Sequence, residues 1–215
     1  MTKKFSNLKK YINVSHETLE KLVIYFDLLN IWQKKMNLVS NNSLKNAEIR
    51  HFLDSAQLYI FCKNINGNII DFGTGAGFPG AVLSILGASK IFLVESNKKK
   101  CNFLTKLKKE TNSNFNIVNS RIENLDFLDP SLIVSRALTS TKNLLLFSID
   151  HMLKSKKIKS RKEAVKNLPN LLFLKGKTFK CELNDIPENF KIKFQTFPSI
   201  TSAESRILLY NKNIL

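Results

Sequence analysis

The stretch DFGTGAGFPG at residues 71–80 holds Gly73, Gly75, Gly77 and Gly80, in a chain of 215 residues that has only seven glycines. Glycine loses more backbone freedom on folding than any other residue. It is concentrated where the chain must take positive φ or where backbone must come close to another group. NII at 68–70 precedes the stretch and reads as a short buried strand. AVLSIL follows it and reads as a helix, with Pro79 suited to the first helical turn. A strand, a glycine turn and a helix in that order restrict the chain to folds in which a parallel strand feeds a covering helix.

The rest of the chain repeats this alternation. IFLVE at 91–95, FNIV at 115–118, SLIVSRA at 131–137 and LLFLKG at 171–176 read as further strands. Between them, NKKKCNFLTKLKKE turns Cys101, Leu104 and Leu107 inward and its lysines outward, and NLLLFSIDHML is again helical. KIKFQTF and RILLY are β-like and read as a closing pair. Before the first strand lie two helical patterns. One starts from Ser15 as N-cap and spaces Leu19, Leu22, Phe26, Leu29 and Trp32 along one face; the other runs over about 45–62 and carries RHFLDS. The expected class is α/β, a Rossmann-like and mostly parallel doubly wound sheet, with an N-terminal helical extension over 1–66 and a core over 67–215. In such sheets ligands bind beyond the carboxyl ends of the strands, where the glycine turn falls.

Two cofactors suit that turn. Gly75, Gly77 and Gly80 fit G-x-G-x-x-G, with Glu95 twenty positions beyond Gly75, as in a nicotinamide dinucleotide fold and hence an oxidoreductase. Asp71 through Gly77 equally fit the acidic-x-G-x-G-x-G turn of S-adenosylmethionine-dependent methyltransferases, in which Glu95 would hold the ribose hydroxyls. A phosphate loop is excluded, because no Gly-Lys-Ser/Thr follows. Three features favour the methyl donor. Asp71 lies inside the ligand-facing end of the strand, no residue set for hydride transfer stands out, and the net charge of +17 suits a polyanionic substrate.

Cys62, Cys101 and Cys181 are far apart and odd in number, neither they nor the histidines have zinc spacing, and no apolar run approaches the ~20 residues of a membrane span. A reduced, cytoplasmic protein with no metal and no membrane partner is expected.

The pieces IWQKKMNLVS, RHFLDS, IDFGTGAGFPG, FLVESNKKKCNFL, NSRIENL, IVSRAL and FLKGK follow one another in the order of a known family. By these the chain resembles the bacterial 16S ribosomal RNA guanine-N7 methyltransferases, the glucose-inhibited division protein B family. The resemblance implies a class I S-adenosylmethionine-dependent methyltransferase. It implies methylation of N7 of a guanine in the decoding-region loop, on 16S rRNA or the small ribosomal subunit particle, by a monomer. It carries cofactor contacts to Gly73, to Phe78 (where relatives often have leucine), to Ile122 and Glu123 at the adenine end, and to Arg136. Asp71, Gly75 and Glu95 complete the expected cofactor set. N7 of guanine carries an in-plane lone pair and no proton, so no general base is needed. Arg136 is expected to position the cofactor's methionine end or the substrate, and its loss to reduce methylation without unfolding the protein. Lys175 is the expected RNA contact; Arg50 and His51 are expected either to touch RNA or to pack the helical extension on the cofactor loop, with Asp54 as a structural partner of one of them. The insert at about 153–170 departs from the family. Residues 151–180 hold ten Lys or Arg against one acid, Glu163. A non-enzymatic RNA-binding assembly factor is the other alternative to the oxidoreductase, and the intact Asp71, Gly73, Gly75 and Glu95 argue against it.

Overall fold

A computed structural model describes residues 5–190 and 192–212. Short helix α1 (Ser6–Tyr11) leads into the long α2 (His16–Gln33), where Ser15 Oγ accepts the backbone N–H of Thr18 as the N-cap. NLVSNNS is not wholly a loop, since Ser40 caps a single turn, α3 (Asn41–Leu44). The helix expected over 45–62 is broken. A π-helical turn (Glu48–Leu53) runs into α4 (Asp54–Ala56), and α5 (Tyr59–Cys62) follows after a reverse turn. Single π turns in otherwise α-helical segments recur at functional sites, and this one carries RHFL of RHFLDS.

From Asn68 the alternation takes over. The elements are β1 (Asn68–Phe72), α6 (Gly80–Ile85), β2 (Ile91–Glu95), α7 (Lys98–Thr111), β3 (Phe115–Asn119), β4 (Pro130–Arg136), α8 (Thr141–Leu153), α9 (Arg161–Lys166), β5 (Asn170–Lys175), α10 (Phe179–Asn184), β6 (Gln195–Pro198) and β7 (Arg206–Tyr210). Asn97 caps α7 through Oδ1 with the N–H groups of Lys99 and Lys100, and Asn112 ends it in the left-handed conformation. The strand order is β3-β2-β1-β4-β5-β7-β6, parallel throughout except for β7, which runs antiparallel between β5 and β6. The expected closing pair forms, although the run KIKFQTF begins at Lys191, outside the described residues.

Strand residues alternate between the two faces. Ile69 joins a buried cluster with Leu22, Tyr25, Phe52 and Leu104, whereas Ile70 joins one with Ile133, Leu145 and Ile149. The first cluster unites the N-terminal helices with α6, α7 and one face of the sheet. The second lies under α8, α9 and α10. Cys101, Leu104 and Leu107 are buried as their spacing predicts, while Trp32 is half-buried with its ring edge-on to Phe103 at 5.6 Å. Tyr25, absent from the expected stripe, is fully buried at the centre of the first cluster. No helix among the described residues is long and apolar enough to cross a membrane.

Candidate active site

The glycine turn leaves β1 at Phe72 and enters α6 at Gly80. Gly73, Gly75 and Gly77 take φ of 68°, 59° and 97°, the left-handed region that side chains resist. Asp71 is not on the ligand side of this turn. It is fully buried beneath it, where Oδ2 accepts the Thr74 hydroxyl at 2.5 Å and the Gly80 backbone N–H at 2.8 Å. The acidic residue that the sequence places among the cofactor contacts therefore pins the two ends of the loop together. Burial pushes its pKa up to about 6. From outside, Tyr25 donates its hydroxyl to the Ala76 carbonyl. Phe78 lies between two rings, stacked on Tyr25 at 5.1 Å and on His51 at 5.0 Å. It is almost fully buried, so the bulky loop residue joins the N-terminal helices to the glycine turn while its edge reaches the cleft.

Above the turn opens a cleft of about 630 Å³, lined among others by Gly73, Gly75, Phe78, Glu95, Ile122 and Glu123. Six of the expected cofactor residues thus meet in one place, from β1, β2 and the 3-10 turn Ile122–Asn124, and Arg136 lines the same cleft from the end of β4. Glu95 anchors itself by accepting the Asn97 N–H at Oε1, 2.7 Å away, and no described residue bonds its Oε2. That free carboxylate oxygen beside a glycine turn suits a diol, and the apolar side chains of Val94, Ile122 and Phe147 suit a flat heterocycle. The residues present fit the nucleoside of S-adenosylmethionine. Lys154, from the insert, donates to the carbonyls of Glu123 at 2.7 Å and Leu125 at 2.6 Å and so braces the adenine-side turn from behind. Lys154 and Glu123 are 31 positions apart, so no local pattern reveals this role.

Arg136 is the most heavily engaged side chain of the site. Nη1 donates to the Arg50 carbonyl at 2.7 Å and to Asp54 Oδ2 at 3.3 Å, and Nη2 donates to His51 Nδ1 at 2.9 Å. Its guanidinium carbon lies 5.1 Å from the centroid of the Phe78 ring. Asp54 is thus the close ion-pair partner of Arg136, 82 positions away, while Arg50 acts on it only as a nearby charge. It also accepts from Thr201 and Gln57. Burial raises the pKa of Asp54 even with Arg136 beside it. His51 accepts from Arg136 at Nδ1, so its Nε2–H donates to Ser43 Oγ at 2.9 Å. RHFLDS therefore docks the N-terminal helices onto the end of β4. Its histidine packs on the loop, with both ring nitrogens taken.

These histidines set an acid limit. Burial, helped by Arg136 and Arg50, pushes His51 down to about 3. Burial, helped by Lys154, pushes His151 in α8 down to about 4. The unfolded chain, with histidines near 6.5, takes up protons first as the pH falls, so this stability is present above about 6.5 and is lost on the way down. Asp71 acts in the opposite sense between about 6 and 3.8, where the folded state binds the proton first, and Asp54, also raised by burial, acts in the same direction, so the two carboxyls offset part of what the two histidines lose. The urea midpoint is expected to fall as the pH drops from about 6.5 to about 4.5, and His151→Gln to flatten that fall. A midpoint constant across this range in the parent protein contradicts the assignment.

The expected RNA contacts divide. Lys175 is almost fully buried, its ammonium paired with Glu182 at 2.7 Å and donating to the Thr139 carbonyl, so it holds the loop after β4 and is not free to reach a substrate. Arg50 is exposed, and no acid among the described residues pairs with it. Among the same residues no group of three His, Cys, Asp or Glu could hold a metal ion, and Cys62, Cys101 and Cys181 are unpaired.

An NAD-binding sheet of this type is all parallel in the order 3-2-1-4-5-6, whereas here an antiparallel β7 separates β5 from β6. Solved structures with the same architecture include the magnesium protoporphyrin IX methyltransferase of Synechocystis with bound S-adenosylmethionine (TM-score 0.58, 12% identity, 92% of this chain and 97% of that one). They also include the ribosomal protein L11 methylase of Lactobacillus delbrueckii (TM-score 0.55, 11% identity, 80% of each chain). The fold and the cleft define a class I S-adenosylmethionine-dependent methyltransferase, and the oxidoreductase reading is set aside. The profile of the GidB family, described as rRNA small subunit methyltransferase G, matches residues 18–208, and the chain belongs to that family of enzymes. Relatives named ribosomal RNA small subunit methyltransferase G include those of Rickettsia prowazekii, 34% identical over 93% of this chain and 97% of the relative, and of Rickettsia akari, 37% identical over 92% and 95%. Membership in a family of methyltransferases also sets aside the non-enzymatic assembly factor.

Proposed function

We propose that this protein transfers a methyl group from S-adenosylmethionine to N7 of a guanine in the decoding-region loop of 16S rRNA, as a cytoplasmic monomer. What supports the reading is the meeting of Gly73, Gly75, Glu95 and Ile122 in one open cleft, in a chain of the small-subunit rRNA methyltransferase family. The bound cofactor supplies an electrophilic methyl on a positively charged sulfonium. The protein's part is to hold, align and exclude water. Glu95 Oε2 would hold the ribose hydroxyls, Ile122 and the turn at Glu123 would wall the adenine, and the backbone at Gly73 and Gly75 would face the methionine end. Phe78 and Arg136 brace that loop from below. N7 has no proton to lose, and the lining is consistent with that. His51 is neutral and bonded at both nitrogens, so it serves no base role. Holding the acceptor in line with the methyl is then the main source of rate.

Glu95→Gln keeps the hydrogen bond from Asn97 but replaces a charged acceptor of the ribose by an amide. It is expected to weaken S-adenosylmethionine about 10- to 100-fold, the worth of a charge-assisted bond, read by calorimetric titration. Unchanged affinity contradicts the assignment.

The exposed Lys156, Lys157, Lys159 and Lys162 of the insert are read as phosphate contacts. Changing all four to glutamine is expected to lower the salt slope of RNA binding, by as much as about 0.7 for each phosphate that is no longer neutralised; an unaltered slope removes the insert from the interface. The activity itself is tested with purified protein, methyl-labelled cofactor and unmodified small-subunit RNA or particles. Labelled 7-methylguanosine is the expected product, and a different methylated base, or none, contradicts it.

A further inference from the structure

Beside the cofactor cleft lies a second cavity of about 380 Å³, and His51, Arg136 and Ala137 line both. Ala137, where they adjoin, has φ 53°, a left-handed backbone unusual for a residue with a side chain and a kind of strain found at functional sites. Half of the charges around the second cavity are already spent. Asp54 is held by Arg136, Thr201 and Gln57, and Lys175 by Glu182. Three lining charges remain exposed with no ion partner among the described residues: Arg50, Lys177 and Glu204. The two cations suit phosphates flanking a target nucleotide. Glu204 does not. In a chain of net charge +17 that must hold RNA, an unpaired carboxylate at a substrate cavity repels the backbone, so it calls for a ligand group that donates hydrogen bonds.

We propose that this cavity takes the target guanine, extruded from its loop, and that Glu204 reads its Watson–Crick edge. Guanine is the base that presents two adjacent donors there, N1–H and the N2 amino group, a match for the two oxygens of one carboxylate. N7 lies on the far side of the ring system from the N2 amino group. A guanine held by Glu204 therefore turns N7 away from the carboxylate, toward the Ala137 junction and the cofactor cleft. Adenine offers an unprotonated N1 to the same carboxylate and is rejected. Lys177 replaces Lys175 as the lysine of this strand end that meets RNA. Extrusion of a base into a protein pocket, with its edge read by side chains, is the general solution for chemistry on a nucleobase. The proposal rests on the guanine-N7 reading above and adds the residue that selects the base.

The test uses small-subunit particles reconstituted with RNA that carries either guanosine or inosine at the methylated position; inosine lacks the N2 amino group. The parent protein is expected to prefer guanosine in kcat/KM by about 10- to 100-fold, the worth of one hydrogen bond to a charged group. Glu204→Gln and Glu204→Ala are expected to lose a similar factor on guanosine and to show a preference near one. Their cofactor affinity is expected to match the parent's, since Glu204 lies outside the cofactor cleft. Full activity on guanosine in both variants overturns the role of Glu204, and so does reduced activity with the guanosine preference intact. Either leaves the methyltransfer reading standing. A parent protein that methylates neither RNA overturns both.

Discussion

Replacing Arg136 with alanine is expected to lower the folding free energy by about 3–5 kcal/mol, the usual cost of removing one partner of a buried ion pair. Arg136 and Asp54 are 14% and 13% exposed, so little solvent remains to compensate. The substitution orphans more than the carboxylate. The Arg50 carbonyl and His51 Nδ1 lose their donors, and the Phe78 ring loses the cation beside it. Lysine does not restore the site, because a single ammonium cannot reach three acceptors that a planar fork serves together. Loss of Arg136 is therefore expected to weaken the fold as well as methylation, because this arginine holds RHFLDS to β4. Urea denaturation by circular dichroism reads the effect. Adding Asp54→Asn to Arg136→Ala is expected to recover part of the loss by removing the uncompensated charge. An unaltered midpoint in Arg136→Ala contradicts the account.

The second large effect is expected at Gly77. Its φ of 97° alone costs an L-residue roughly 1–2 kcal/mol. A Cβ there would meet the Tyr25 hydroxyl at 2.6 Å, Ala81 Cβ at 3.0 Å and Leu104 Cδ2 at 3.1 Å, all in the fully buried cluster. Overpacking of this kind adds roughly 1–3 kcal/mol. Gly77→Ala is thus expected to destabilise the fold by about 2–5 kcal/mol and to displace Tyr25 from the Ala76 carbonyl, loosening the turn. Gly176→Ala is the control, since nothing lies within 4 Å of a Cβ at that position and its φ is not in the left-handed region. Equal melting temperatures for the two variants would refute the view that Gly77 is where the helical extension and the cofactor loop touch.

Much of this architecture is legible in the linear chain, for reasons that are local. A buried parallel strand is a short apolar run, and an amphipathic helix repeats every three or four residues. A ligand loop gathers glycines. The order of these signals carries the alternation, the closing β6–β7 pair and the pairing of the glycine turn at Gly73 with Glu95. Ile122 and Glu123 enter only through the family resemblance, since alone they read as a core residue and a solvated helix residue. What local pattern does not encode is which polar groups meet across the fold. Asp71 has the spacing of a cofactor ligand, yet its carboxylate is turned under the loop to Thr74 and Gly80. Lys175 sits in a family motif, yet its partner is Glu182 on α10. The tie between Asp54 and Arg136 spans 82 residues. The break in the second helix follows from the same tertiary demand, because the π turn at Glu48–Leu53 delivers His51 to Phe78 and to Arg136 at once.

The central claim is that this chain places a methyl group on N7 of a guanine in small-subunit ribosomal RNA. Mass spectrometry of that RNA, digested to nucleosides, from cells with and without the gene tests it most directly. Loss of one 7-methylguanosine per small-subunit RNA, restored by the parent gene and not by Glu95→Ala, is the predicted result. An unchanged 7-methylguanosine content in cells lacking the gene would contradict it.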